Sequence, residues 1–142
     1  MSIHVNLPNS SKMSHEFTAA KLQNTFSTWG DLEFAVLVGS RAAGTECPGS
    51  DWDIAVYWRD GLPWMDRVSK TETLRRELAK ALGENESRID LIDLASTNLA
   101  MRATVAEERL PLTGDQSPAW ARFLRRTWRE LEDFYWGKEH AA

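Results

Sequence analysis

A single cysteine, Cys47, stands in a chain of 142 residues, so no disulfide can form within it. That fits a reducing compartment, and the expected location is the cytoplasm. A catalytic thiol would want a base close by in the pattern, and none is evident. Cys47 therefore reads as a tolerated loop residue. Histidine is scarce as well. His4, His15 and His140 lie near the two ends, without the His/Cys spacing of a zinc site. No apolar run approaches the ~20 residues of a membrane span. The opening MSIHVNLPNSSKMSHEF has neither the basic start nor the apolar segment of a secretory signal. Positive charge is not in excess either. With 17 Lys and Arg against 21 Asp and Glu, the net charge is −4 and the pI about 5.4. That argues against a main task of coating nucleic acid, whose affinity comes largely from phosphate neutralisation. A nucleotide remains an admissible substrate, because a metal ion can bridge acidic residues to phosphates.

What is present describes a single globular domain: 42% apolar residues with 27% charged. Residues 1–14 are polar and broken by Pro8, Asn9, Ser10 and Ser11, and they predict a flexible N-terminal arm. From His15 to Trp29, the spacing of Phe17, Ala20, Phe26 and Trp29 predicts a short amphipathic helix. Leu32 to Val38 is a compact apolar run with valines that reads as a buried strand. A second strand covers Asp51 to Trp58. Asp60-Gly61-Leu62-Pro63 turns the chain into a helix over Met65 to Leu82, with Val68, Leu74, Leu78 and Leu82 on its buried side and Gly83 as cap. Arg88 to Ala95, "RIDLIDLA", gives a third strand. Ser96 or Thr97 can cap a further helix carrying Leu99, Ala103 and Ala106. RLPLTGD reads as irregular. Ser117-Pro118 then opens a final helix with an apolar stripe from Trp120 to Tyr135. The order predicts an α/β domain with a small sheet over residues 15–116. The helix of 117–142 would complete it or contact a partner.

The chemistry concentrates in one stretch, "VLVGSRAAGTECPGSDWDIAVYW", from Val36 to Trp58. Side chains two apart on a strand point the same way, with Cα atoms roughly 6.5–7 Å apart. Asp51 and Asp53 therefore share one space, where two bare carboxylates would repel. Hard oxygen ligands suit Mg²⁺, which takes one or two carboxylates beside water and phosphate oxygens. A pair of metals can clamp the entering and leaving oxygens of phosphoryl transfer. Asp90 offers a third carboxylate on a neighbouring strand. Across the site, Gly39 lets a phosphate approach the backbone, Ser40 adds an amide and a hydroxyl, and Arg41 adds a positive charge. A lone DxD is usually solvated surface and a lone GS is uninformative. Together, between two apolar strands, they point to a metal–nucleotide site.

"GS", ten residues and "DWD" resemble the signature of the DNA polymerase β-like nucleotidyltransferase superfamily. GSRAAG, SDWDIAV and IDLIDL in a short chain resemble its minimal branch, the antitoxins paired with HEPN ribonuclease toxins. The resemblance covers about Leu32 to Leu94. It implies an α/β (α+β) nucleotidyltransferase fold, a small mixed sheet with helices packed on one face. It also implies transfer of AMP from ATP to a tyrosine hydroxyl of a cognate HEPN toxin, which neutralises it. Carried over, Gly39, Ser40 and Arg41 would bind the nucleotide, while Asp51, Asp53 and Asp90 would be catalytic and hold a two-metal Mg²⁺ site. Many minimal members read GSRARG; Ala43 in place of the second arginine implies a weaker basic grip on phosphate. Two other readings compete: transfer to a small hydroxyl compound, and a non-catalytic antitoxin that acts by binding. The small-molecule enzymes usually carry an added helical domain, for which this chain has little room. No membrane contact is expected, nor nucleic acid as a direct substrate.

Asp90 and Asp93 differ by three and so face opposite ways on a strand. Asp90 is expected to join Asp51 and Asp53. Asp93, next to Ser96 and Thr97, is expected to support the start of the next helix. Trp52 and Trp58, two of seven tryptophans, are expected beneath the sheet. The aromatic stripe of the last helix fits docking on its own domain better than a partner face. Arg122, Arg125, Arg126 and Arg129 form a basic patch that fits a solvated surface better than RNA contact.

Overall fold

Near-continuous apolar runs along β1 (Leu32–Val38) and β2 (Trp52–Trp58) build a sheet buried on both sides. A computed structural model describes the backbone of residues 10–140 and the side chains of 15–140. Two short strands complete the sheet, β3 (Ile89–Asp93) and β4 (Pro111–Thr113), in the order β3-β2-β1-β4. β2 and β3 run parallel, and the other pairs are antiparallel. Among the described residues, five α-helices surround it: α1 (Ser10–Ser27), the single turn α2 (Ser40–Ala43), α3 (Trp64–Leu82), α4 (Leu99–Glu108) and α5 (Pro118–Glu139). The mixed sheet is as expected. The helices, however, cover both faces and not one.

On one face Ala35, Leu37, Ile54, Val56 and Trp58 meet Leu22 and Phe26 of α1 and Leu74 and Leu78 of α3. On the other, Phe34, Val36, Val38 and Ala55 meet Val105 and Ala106 of α4 and Trp120 and Phe123 of α5. Trp58 is fully buried, donates to the Thr71 hydroxyl at 3.0 Å and meets Trp29 edge-on. Trp52 is half-buried against the same core, so both tryptophans lie where expected.

Several local expectations change. α1 already runs from Ser10, while residues 1–9 of the expected arm lie outside the described residues. Its buried side is Thr18, Leu22 and Phe26, whereas Phe17 and Ala20 are exposed. That side packs against β4, the sheet and α3. In α3, Leu74, Leu78 and the left-handed cap Gly83 hold their expected places, but Val68 is exposed near the open first half of the helix. Asn98, and neither Ser96 nor Thr97, caps α4 by accepting from the Met101 amide at 2.9 Å. RLPLTGD is not wholly irregular: Pro111–Thr113 pairs with Ala35 and Val36. Ser117 caps α5 as its position beside Pro118 predicts. Only the first half of α5 is buried; Phe134, Tyr135 and Trp136 are exposed.

Candidate active site

β1 carries its buried run straight to Gly39, where φ is +76° and ψ −156°. Glycine tolerates that backbone at little cost. Space demands it too: a Cβ at this position would lie 2.3 Å from Asp53 Oδ2. The chain then makes the single turn of α2, closed by Gly44, whose N–H donates to the Ser40 carbonyl. The antiparallel register sets Val38 opposite Asp53, and the parallel register sets Asp53 beside Asp90. Gly39, Asp53 and Asp90 thus meet at one end of the sheet. Asp53 and Asp90 are in phase with Ala55 and Ile92, on the face covered by α4 and α5.

Asp93 lies in the opposite phase and is tied elsewhere. Its carboxylate accepts from Arg67 Nε at 3.0 Å and from the Ala95 amide at 3.1 Å. It has a structural place as expected, but it braces α3 and the turn after β3 without touching the start of α4.

The carboxylates affect one another. Burial, then the charges of Asp90 and Asp51, raise the Asp53 carboxyl above the ordinary aspartate range. Asp51 stands just before β2, exposed, with Oδ1 3.7 Å from Arg88 Nη1. Both partners are about half exposed (58% and 48%), so the pair is weak and readily displaced. Arg88 also donates to the Gly49 carbonyl and thereby holds the loop that delivers Asp51. Nothing in the sequence marks Arg88 for this task, because the parallel pairing of β2 with β3 joins residues far apart in the chain.

Arg41 is engaged differently from a free phosphate ligand. Its Nη2 donates to the Ser50 carbonyl at 2.8 Å, and its guanidinium lies 3.9 Å over the Trp52 ring. Its Nε is buried without a partner. Arg41 therefore braces the same 44–51 loop from the other side. The exposed Ala43 follows it on α2.

Among the described residues, no three carboxylate, imidazole or thiol groups form a ready-made cage for a metal ion. A Mg²⁺ site that borrows phosphate oxygens needs only one or two protein carboxylates. The raised Asp53 carboxyl, crowded by two others, is the donor set such an ion would relieve. The residues fit the group.

A family model for the polymerase beta nucleotidyltransferases matches residues 20–116. The chain belongs to the polymerase beta nucleotidyltransferase family. Its matched span includes β1 to β4 and every candidate site residue named above. Among solved structures, a toxin–antitoxin with AMP-PNP is similar at 25% identity and a TM-score of 0.63, with 85% of this chain and 92% of that chain covered. A mutant of the toxin–antitoxin MntA–HpeT is similar at 26% identity and a TM-score of 0.59, covering 84% and 87%. A tri-AMPylated Shewanella oneidensis HEPN toxin in complex with MNT antitoxin matches at 23% identity and a TM-score of 0.58, covering 88% and 92%. That last likeness shows the shared fold alone. Comparison with curated proteins finds no match. Among the described residues, no helix of this nucleotidyltransferase is long and apolar enough to cross a membrane.

Proposed function

We propose that this nucleotidyltransferase is an antitoxin that transfers AMP from ATP to a tyrosine hydroxyl of a HEPN ribonuclease toxin. The observation that carries the reading is Asp53 set beside Asp90 at the Gly39 turn, with the charge of Asp51 acting on the same carboxyl. The likeness to a toxin–antitoxin with AMP-PNP supports the choice of nucleotide and partner.

In this reading Gly39 leaves room for the triphosphate to approach the backbone, and the Ser40 amide and hydroxyl meet its oxygens. Asp51 and Asp53 would hold Mg²⁺, with Asp90 completing the set; the ion supplies Lewis-acid stabilisation of phosphate charge. Arg41 and Arg88 fix the loop on which Asp51 rides. The tyrosine oxygen attacks the α-phosphorus, and the bond to the bridging oxygen of the β-phosphate breaks. Pyrophosphate leaves with that electron pair. Asp90, exposed on the edge strand β3, would accept the hydroxyl proton.

Incubation of the toxin with labelled ATP, Mg²⁺ and this protein tests the reading. Label should appear on the toxin and fall to background in excess chelator. Undiminished labelling in chelator would exclude the carboxylates as metal ligands.

Asp90 and Asp93 should separate cleanly. Asp90→Asn is expected to slow transfer roughly 10²-fold or more, with little change in Tm. Asp93→Asn leaves Arg67 without its charge partner in a mostly buried position. It should cost about 1–2 kcal/mol of stability and leave transfer near normal. Steady-state rates and thermal melts of both variants decide; an inactive Asp93→Asn beside a normal Asp90→Asn would reverse the roles.

A further inference from the structure

The basic patch of α5 is not simply a solvated face. It forms one wall of a cavity of about 700 Å³ at the far end of the sheet from Asp53. Tyr57 of β2 lines that cavity, and four residues of strand put it about 13 Å from Asp53. Leu94, Ala119 and Phe123 form an apolar floor. Around it stand Arg102 of α4 and Arg122, Arg125, Arg126 and Arg129 of α5. Five guanidinium groups thus converge in a chain whose Lys and Arg total 17 and whose net charge is −4.

Little on the protein neutralises them. Glu130 takes Arg102 at 2.5 Å and Arg126 at 3.1 Å. Asp60, on the rim, accepts from the Tyr57 hydroxyl at 2.5 Å. Arg122, Arg125 and Arg129 make no ion pair or side-chain hydrogen bond among the described residues. Several like charges held around one concavity repel unless an anion enters. Guanidinium groups are suited to phosphate, which they grip through two parallel N–H donors.

We propose that this cavity binds a nucleoside polyphosphate at a site separate from the carboxylate end of the sheet. The arginines take the phosphates, and the apolar floor takes the nucleoside. The volume lies within the ordinary range for small-molecule sites. A long nucleic acid strand fits less well, because Asp60 stands on the rim and the chain as a whole is acidic. A flat acidic protein surface would not fill a concavity with an apolar floor.

Titration with inorganic tripolyphosphate and with ATP, both in EDTA, tests the site without catalysis. Wild type and Asp51→Asn/Asp53→Asn should bind tripolyphosphate equally, since the carboxylates are not involved. Arg122→Gln/Arg129→Gln should weaken binding about tenfold or more, as loss of two charge-assisted contacts predicts. Both arginines are exposed, and Arg125→Gln provides a second variant; unchanged circular dichroism confirms the folds. ATP should bind more tightly than tripolyphosphate. The proposal is overturned by affinity that ignores the arginines, by binding lost with the aspartates, or by equal affinity for ATP and tripolyphosphate. Tighter binding of single-stranded RNA than of ATP also overturns it, as does loss of toxin capture in the arginine variants without any polyphosphate binding. Because no transfer is measured, failure here leaves the proposed AMP transfer standing, and the reverse also holds.

Discussion

Asp51→Asn with Asp53→Asn is expected to cut AMP transfer by on the order of 10³-fold or more while the protein remains folded. The amides keep the shape of the side chains and remove the charges that would hold the metal. The same change should stabilise the metal-free protein. The Asp53 carboxyl is raised by burial and by the charges of Asp90 and Asp51. A carboxyl raised above its unfolded value favours folding at acid pH, and that contribution is lost as pH rises through the folded pKa. At neutral pH the wild type therefore carries a destabilising, crowded carboxylate that the double variant lacks. Its Tm at pH 7 in chelator should rise above that of the wild type. Normal transfer by the folded double variant would remove these residues from the chemistry.

The second large effect is expected at a residue with no side chain. Gly39→Ala puts a methyl where Asp53 Oδ2 now lies, 2.3 Å from the new Cβ, at a φ of +76°. The backbone penalty should be about 1–3 kcal/mol. Asp53 must swing away, and a misplacement of about 1 Å in such a site costs roughly 10²-fold in rate. Transfer should fall by that factor at temperatures well below the melting point. If Gly39→Ala lowers Tm but transfers AMP at the wild-type rate, the contact between the turn and Asp53 has no catalytic role.

The elements that could be read from the sequence are those whose signals are local. β1 and β2 announce themselves as apolar runs between turns, and their phase put Asp51 and Asp53 on one side. Gly83 and Ser117-Pro118 mark helix ends through their own backbone preferences. What escaped depends on partners distant in sequence. The three residues of β4 contain a proline and become a strand only because β1 offers an edge. The buried side of α1 follows from the sheet it packs on, and Phe17 lost to Thr18 and Leu22. A second helical layer could not be seen from periodicity, since a buried run looks alike under one layer or two. At the site, the spacing put Asp51 and Asp53 on one strand face, and the parallel register sets Asp53 beside Asp90. The bracing of the Asp51 loop by Arg41 and Arg88 was not legible in the spacing. Those contacts run to Ser50, Trp52 and Gly49 and arise only after the strands pair.

The same limit explains the arginines of α5. In the sequence they look like one exposed face of a long helix. Only the fold adds Arg102 from α4 and the ends of β2 and β3, and so turns a patch into a cavity. Beyond it the last turns of α5 carry Phe134, Tyr135 and Trp136 into solvent, so the aromatic stripe serves the core only along its first half.

The intact mass of the purified toxin after incubation with ATP, Mg²⁺ and this protein tests the central claim most directly. The account predicts a gain of one or more AMP units on a tyrosine, a matching loss of ribonuclease activity, and neither change with the Asp51→Asn/Asp53→Asn variant. A toxin silenced by the wild-type protein with its mass unchanged would contradict the account and leave inhibition by binding in its place.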